Sequence, residues 1–431
     1  MKRFVKKGTL ITTVAIFAII GFASTLGMRA DAAGNTTTFN DRAKPSDYFA
    51  DLIGVNVHLD SNLFNNTFDS ILLVRLRELG IRHVRESVGT YNYYREGLKK
   101  ISDLGITLNL ITYITPSTST RLPPLNDYIP ILRQHQDMGI NIGSIEGPNE
   151  YNNSRWVWNN APAPSEWPRW LFNFTQSFHK TIRADNRFND VKIIAPTVIT
   201  YDGALRLAAQ GPIAKYVDYA NIHWYCHAYW ETNINDFSPF CNYNKDLNRF
   251  AAPYPGKKIW ITENGIPSID NLNNAPENIR PKLLKEEVAA KYTARRLLES
   301  FNRGIEKVYL YEFYVSPLIP PNQLDAYFGL VRQDGSVKPV FTAVKNLISL
   351  TKDQRSDFET QILSYQIESS ANYKKTLLQK SNGSFLLILW NEVPDSSLSG
   401  NPVPATITFN DNKRFDVKII NPMVSTQVVS K

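Results

Sequence analysis

Eight short apolar, β-branched runs recur along this chain, at 53–58, 81–87, 106–112, 141–147, 191–198, 219–224, 257–263 and 307–313. Amphipathic stretches at 68–79, 93–104, 128–138, 166–184, 204–217 and 283–303 lie between them, and 340–350 follows the last. The runs have the length and composition of buried strands, and the stretches between them carry helical periodicity. Gly80, Gly105 and Gly139 each stand just before an isoleucine that opens a strand, which suits left-handed helix caps in αβ loops. Eight alternations over roughly 300 residues favour a closed parallel (β/α)8 TIM barrel over an open doubly wound sheet. No glycine-rich dinucleotide or phosphate-loop fingerprint is present to argue otherwise.

The expected organisation has four parts. Residues 1–32 read as a signal peptide: four basic residues in the first seven, an apolar run from Thr9 to Leu26, and small residues at Ala30-Asp31-Ala32. An uncleaved N-terminal membrane anchor is the other reading of the same run. Residues 33–50 form a lead-in, 51–350 the barrel, and 351–431 a small β-sandwich-like domain. The last follows from short alternating runs at 358–368, 375–379, 385–390, 405–409 and 415–420. About 80 residues are few for a full sandwich, so strands between 36 and 50 are candidates to complete it.

Charge narrows the partners. Loss of residues 1–32 takes five basic residues and one acidic from 48 and 40, leaving 43 and 39, a net of +4. No dense Lys/Arg stripe remains, so nucleic acid is not expected as a partner. Cleavage of the leader would also leave no stable membrane partner, and a monomer is expected. Cys226 and Cys241 lie close together in a long aromatic, Asn- and Pro-rich stretch after the sixth strand. In an oxidising compartment they would pair, closing a loop worth about 3 kcal/mol on the chain-entropy model. Two free buried thiols are the alternative. No CxxC or His pair accompanies them, so no metal site is read there.

In a barrel, side chains from different strand ends converge on one face. Glu150 closes Ser-Ile-Glu-Gly-Pro-Asn-Glu at the fourth strand, and Glu263 closes Lys-Ile-Trp-Ile-Thr-Glu at the seventh. With Arg85, His223 and Tyr225 they would share one mouth. Two carboxyl groups about 5–5.5 Å apart are what retaining glycoside hydrolysis requires, one protonated to assist departure and one ionised to attack. The attacking group is served by a nearby cation and phenol, whereas the acid needs a raised pKa. Glu146, four residues before Glu150, reads as a buried, paired structural carboxylate. Glu86 is expected to face outward if Arg85 faces in. Glu312 is ambiguous, and Arg82 is a rival to Arg85.

These residues resemble clan A of the retaining glycoside hydrolases: Asn149-Glu150 after the fourth strand, His223-Trp224-Tyr225 after the sixth, Glu263-Asn264-Gly265 after the seventh. Phe328-Gly329-Leu330-Val331, followed by Asp334-Gly335-Ser336-Val337-Lys338-Pro339, resembles the lead into the eighth helix in families 39 and 5. Family 39 also carries a β-sandwich beside its barrel. The resemblance implies Glu150 as acid/base, Glu263 as nucleophile, Asn149 on the sugar 2-hydroxyl, Tyr225 holding Glu263, and Arg85 and His223 in support. Two departures stand out. Tyr311-Glu312-Phe313-Tyr314 occupies the place where many clan members put a sugar-stacking tryptophan, and Gly-Pro-Asn-Glu-Tyr replaces the common Asn-Glu-Pro.

Aromatic rings supply the apolar half of sugar recognition. Trp156, Trp158 and Tyr151 fall in the loop after Glu150 and are candidates for sugar contact, whereas Trp167 and Trp170 begin a helical pattern and read as packing. The expected function is an exported, secreted or periplasmic retaining glycosidase acting on β-linked polysaccharide or oligosaccharide, with no cofactor and no metal. A transglycosidase using the same two glutamates, a noncatalytic carbohydrate-binding barrel and a surface-anchored protein are the alternatives.

Overall fold

Strands that are apolar on both faces demand cover on both sides, and a closed parallel sheet ringed by helices provides it. The structure, a computed structural model, describes residues 12–19, 34–59, 66–89, 91–112, 125–153, 165–225, 243–315, 318–391, 403–410 and 415–430. It divides into two units, Asp51–Phe341 and a second built from Met1–Ala50 with Thr342–Lys431.

The first unit is the barrel. Its strands are β1 (Ile53–Asn56), β2 (His83–Ser87), β3 (Thr107–Ile111), β4 (Ile142–Glu146), β5 (Lys192–Ile194), β6 (Ala220–His223), β7 (Ile259–Asn264) and β8 (Lys307–Leu310). They hydrogen-bond in the order β5-β4-β3-β2-β1-β8-β7-β6, and every pairing is parallel. A parallel bridge between Ile194 and Tyr219 joins the two ends, with the Asp218 N–H donating to the Ile193 carbonyl at 2.8 Å. The sheet is thus a closed (β/α)8 barrel. Gly80, Gly105 and Gly139 take φ of 72°, 79° and 75°, the left-handed conformation their place before a strand requires.

The helix Trp167–Arg183, between β4 and β5, shows why these stretches pack as they do. Trp167, Leu171, Phe174, Phe178 and Ile182 recur on one stripe and are all buried. Each contributes about 1.5–3 kcal/mol of apolar burial. Trp167 is therefore a packing residue, while Trp170 stacks between Tyr151 and Phe174 at centroid distances of 4.8 and 5.4 Å.

The upper interior of the barrel is polar. Asn109 donates to Glu146 Oε2 at 2.7 Å and accepts from Ser144 Oγ at 2.8 Å; Thr262 donates to Asn221 Oδ1 at 2.7 Å, and Asn56 donates to the Thr262 carbonyl at 3.0 Å. Such a network is stable only when its members find partners, and here it forms the platform beneath the mouth.

The second unit holds two sheets. In one, Ile362–Ser369 pairs antiparallel with Ala405–Phe409 on one side and Asn35–Arg42 on the other. In the other, Lys44–Pro45, Tyr373–Gln379, Phe385–Asn391, Thr12–Ile19, Phe415–Ile420 and Val428–Ser430 lie side by side in that order. Leu363, Tyr365 and Ile367 meet Leu377, Phe385, Leu387 and Leu389 in a common core. The Tyr365 hydroxyl donates to Asp41 Oδ2 at 2.7 Å, and Lys375 pairs with the same carboxylate. Part of the apolar run offered by the sequence as an export segment is here the strand Thr12–Ile19, parallel to both Phe385–Asn391 and Phe415–Ile420. Among the described residues no helix is long and apolar enough to cross a membrane. The division between the units falls inside the helix Pro339–Thr351.

Candidate active site

Arg85, in the middle of β2, points into the barrel with 1% of its side chain exposed. Its five N–H donors meet five acceptors. Nε donates to Glu146 Oε2 at 2.8 Å; Nη1 donates to Asn56 Oδ1 at 2.8 Å and Glu263 Oε1 at 2.7 Å; Nη2 donates to Glu146 Oε1 at 2.7 Å and Asn149 Oδ1 at 2.6 Å. A planar guanidinium is the one side chain that can serve such a set from a single position. Arg82, its rival in sequence, lies 3.8 Å from Asp51 instead. Glu146 is the buried, paired carboxylate that its place inside the strand suggests.

Glu263 stands near the end of β7. Arg85 donates to its Oε1, and the Tyr225 hydroxyl donates to its Oε2 at 2.8 Å. Burial, then the charge of Glu263, pushes the Tyr225 phenol well above its ordinary value, so it remains a donor. The register of β7 against both neighbours shifts just ahead of Glu263, a local irregularity that re-aims side chains at the mouth. The Trp224 N–H donates to the Glu263 carbonyl at 3.0 Å, and Asn264 returns a bond to the Trp224 carbonyl at 3.1 Å.

Glu150 departs from the expectation that it ends a strand. β4 stops at Glu146, because Gly147-Pro148 breaks the ladder, and Glu150 lies in the following turn with φ of 41°. That conformation is uncommon for a residue with a side chain and persists only where surroundings enforce it. Thr197 does so. Its hydroxyl accepts from the Glu150 N–H at 2.8 Å, its carbonyl accepts from the Tyr151 N–H at 3.1 Å, and its own N–H donates to the Pro148 carbonyl at 3.1 Å. The carboxylate then rests against His223, with Oε1 2.9 Å from Nδ1, and Oε2 accepts from Asn153 Nδ2 at 3.3 Å.

One oxygen of Glu150, one of Glu263 and a His223 nitrogen lie within 4.8 Å of one another. Such a triad has the donor atoms to hold a cation. Arg85 and Tyr225 already engage both oxygens of Glu263, so the cluster is a hydrogen-bonded one. Burial alone would raise the pKa of Glu150; the His223 bond and charge, Asn153 and Arg85 outweigh it, and the net shift is downward. The expected raised acid is therefore not a property of the free site.

Tyr311 directly follows β8. Its ring lies edge-on to Phe328 at 5.4 Å, Tyr225 at 6.1 Å and His58 at 5.3 Å. Glu312 is buried, with Oε2 2.6 Å from His58 Nδ1. Glu86 is turned from the barrel axis yet does not face solvent. It is buried and accepts from the Leu59 and Ser87 N–H groups at 2.7 and 2.6 Å, and burial pushes its carboxyl up to about 7 against the pull of His58. Sequence reasoning passed over His58, Asn56, Asn153 and Thr197. Only the recurrence of polar residues at strand ends could have pointed to them. Trp156, Trp158, Cys226 and Cys241 lie outside the described residues.

The chain matches no protein-family model and no curated protein sequence. Its fold is similar to that of the GH39 enzyme from Xanthomonas axonopodis pv. citri, at 15% identity over 85% of this chain and 77% of that one, with a TM-score of 0.54. It is also similar to a GH39 β-xylosidase from Caulobacter crescentus, at 16% identity over 79% and 82% of the two chains, with a TM-score of 0.53. At these identities the likeness is one of fold.

Proposed function

We propose that this chain is a retaining O-glycosyl hydrolase acting on β-linked polysaccharide or oligosaccharide. The observation that carries the reading is the approach of Glu150 and Glu263 oxygens to within 4.8 Å. That suits the separation of about 5–5.5 Å in retaining enzymes better than the about 6.5–9.5 Å of an inverting pair. In the first step a Glu263 oxygen attacks the anomeric carbon as the glycosidic C–O bond breaks, and Glu150 gives its proton to the leaving oxygen. In the second, Glu150 takes a proton from water, whose oxygen displaces Glu263 and releases the sugar with retained configuration. Arg85 and Tyr225 fix the nucleophile. Asn149, whose Oδ1 is held by Arg85, would offer its amide N–H to the sugar 2-hydroxyl. Tyr311 provides the ring beneath the sugar.

Cover by a bound sugar would remove water from Glu150 and raise its pKa toward the value an acid needs. No step draws on a metal or cofactor. Residues 1–32 support export, and a transglycosidase would differ only in the acceptor that reaches the intermediate. The presence of both carboxylates disfavours a noncatalytic sugar-binding role. The test is hydrolysis of xylans, mannans, β-glucans and bacterial exopolysaccharides by the wild type, Glu150→Ala and Glu263→Ala. Glu263→Ala should lose turnover on every substrate, and Glu150→Ala should recover in part with activated leaving groups or added azide. Undiminished hydrolysis by both variants would discard the mechanism.

A further inference from the structure

Two residues beyond Glu150, the Asn152 side chain reaches across to the segment after β5. Its Oδ1 accepts from the Ile199 N–H at 2.8 Å and its Nδ2 donates to Thr200 Oγ1 at 3.3 Å. Gly203 makes this approach possible, since a Cβ there would stand 2.5 Å from Asn152 Nδ2. The acid/base turn is thereby stapled to one particular stretch of rim.

That stretch is unusually apolar for a surface. Ile199, Tyr201 and Leu205 are 38%, 38% and 45% exposed. Tyr201 and Leu205 are four apart on the helix Tyr201–Ala208 and share a face. The Arg249 guanidinium sits 4.6 Å from the centroid of the Tyr201 ring, holding it in place.

We propose that Tyr201, with Ile199 and Leu205, forms a leaving-group-side subsite for an extended glycan chain. The inference rests on Glu150 being the acid/base. In double displacement the acid stands on the leaving-group side of the broken bond, so the sugars beyond that bond emerge over the rim to which its turn is tied. A ring fixed by a cation and exposed beside that exit offers an apolar sugar face the stacking surface it seeks. The ligand class is a neutral β-linked polymer of several units rather than a monosaccharide glycoside.

Affinity electrophoresis of Glu263→Ala in gels containing xylan, glucomannan or mixed-linkage β-glucan tests this without turnover. At least one polymer should retard it. Adding Tyr201→Ala should weaken that retention about 3- to 10-fold, and Tyr201→Trp should restore it, with melting temperatures unchanged throughout. Equal retention of Glu263→Ala and its Tyr201→Ala derivative would overturn the subsite, as would retention in none of the three gels. Tyr201-dependent retention by a protein whose wild type cleaves no polymer would instead keep the binding surface and remove the glycosidase reading.

Discussion

His223 Nδ1 lies 2.9 Å from Glu150 Oε1 and 3.4 Å from Glu263 Oε2, so one edge of an imidazole faces both carboxylates of the proposed reaction. A single ring in that position couples the two charges. With a proton on Nδ1 it can donate to either carboxylate.

The alkaline limb of activity should therefore report His223. Burial alone pushes the Glu150 carboxyl up, and the His223 bond and charge bring it below its ordinary value. The acid must be protonated to act, so kcat/KM should fall as pH rises through the Glu150 pKa of the free enzyme. His223→Ala removes the principal lowering influence, and the limb should move to higher pH. A pH profile of kcat/KM in which both proteins lose activity at the same pH would contradict this role.

Arg85 should matter first to stability. Removing it leaves Glu146, with 0% of its side chain exposed, without either of its charge-assisted bonds, and also releases Glu263 and Asn149. Breaking a buried pair from one side costs about 3–5 kcal/mol. Arg85→Ala should lose about that much in urea unfolding, and Arg85→Lys should recover only part of it, because an ammonium cannot copy the fork. Full recovery by lysine would show that charge alone was needed.

Much of this arrangement could be read from the chain. The eight strands, the glycines before three of them, and Glu263 at a strand end all follow from local pattern, since a buried strand and a left-handed cap each leave a mark within a few residues. Glu150 was legible as a residue and not as a conformation. The turn that carries it depends on Thr197, 47 positions away, and only the closed barrel brings the two together. The same holds for His58 and Glu312, which come from β-strand ends 254 positions apart and meet where β1 and β8 adjoin. An outward-facing Glu86 followed from alternation alone, but alternation does not say what the loops above will cover.

The strand Thr12–Ile19 gives a further prediction. It pairs with Phe385–Asn391 on one side and Phe415–Ile420 on the other, both in parallel register. A chain beginning at residue 33 would lack it, leaving two strand edges with unpaired N–H and carbonyl groups. Amide exchange at Phe385–Asn391 should then be faster than in the full chain. Equal protection would mean that the two neighbours close on each other or that the strand contributes no ladder in solution.

Acid stability should depend on His135, which is fully buried in the helix Leu125–Asp137 and has neither ring nitrogen hydrogen-bonded among the described residues. Burial, with a smaller contribution from Arg95, lowers its pKa from 6.5 to about 4. The folded protein thus keeps the ring neutral at pH values where the unfolded chain takes up a proton. Its contribution is fully present above pH 6.5 and is lost as pH falls toward 4, amounting to about 3 kcal/mol across that window. His135→Leu removes the titrating group while keeping an apolar side chain of similar size. The variant should therefore lose less stability than the wild type between pH 7 and pH 4.5, measured by urea unfolding at each pH. Parallel losses in the two proteins would assign the acid sensitivity to other groups.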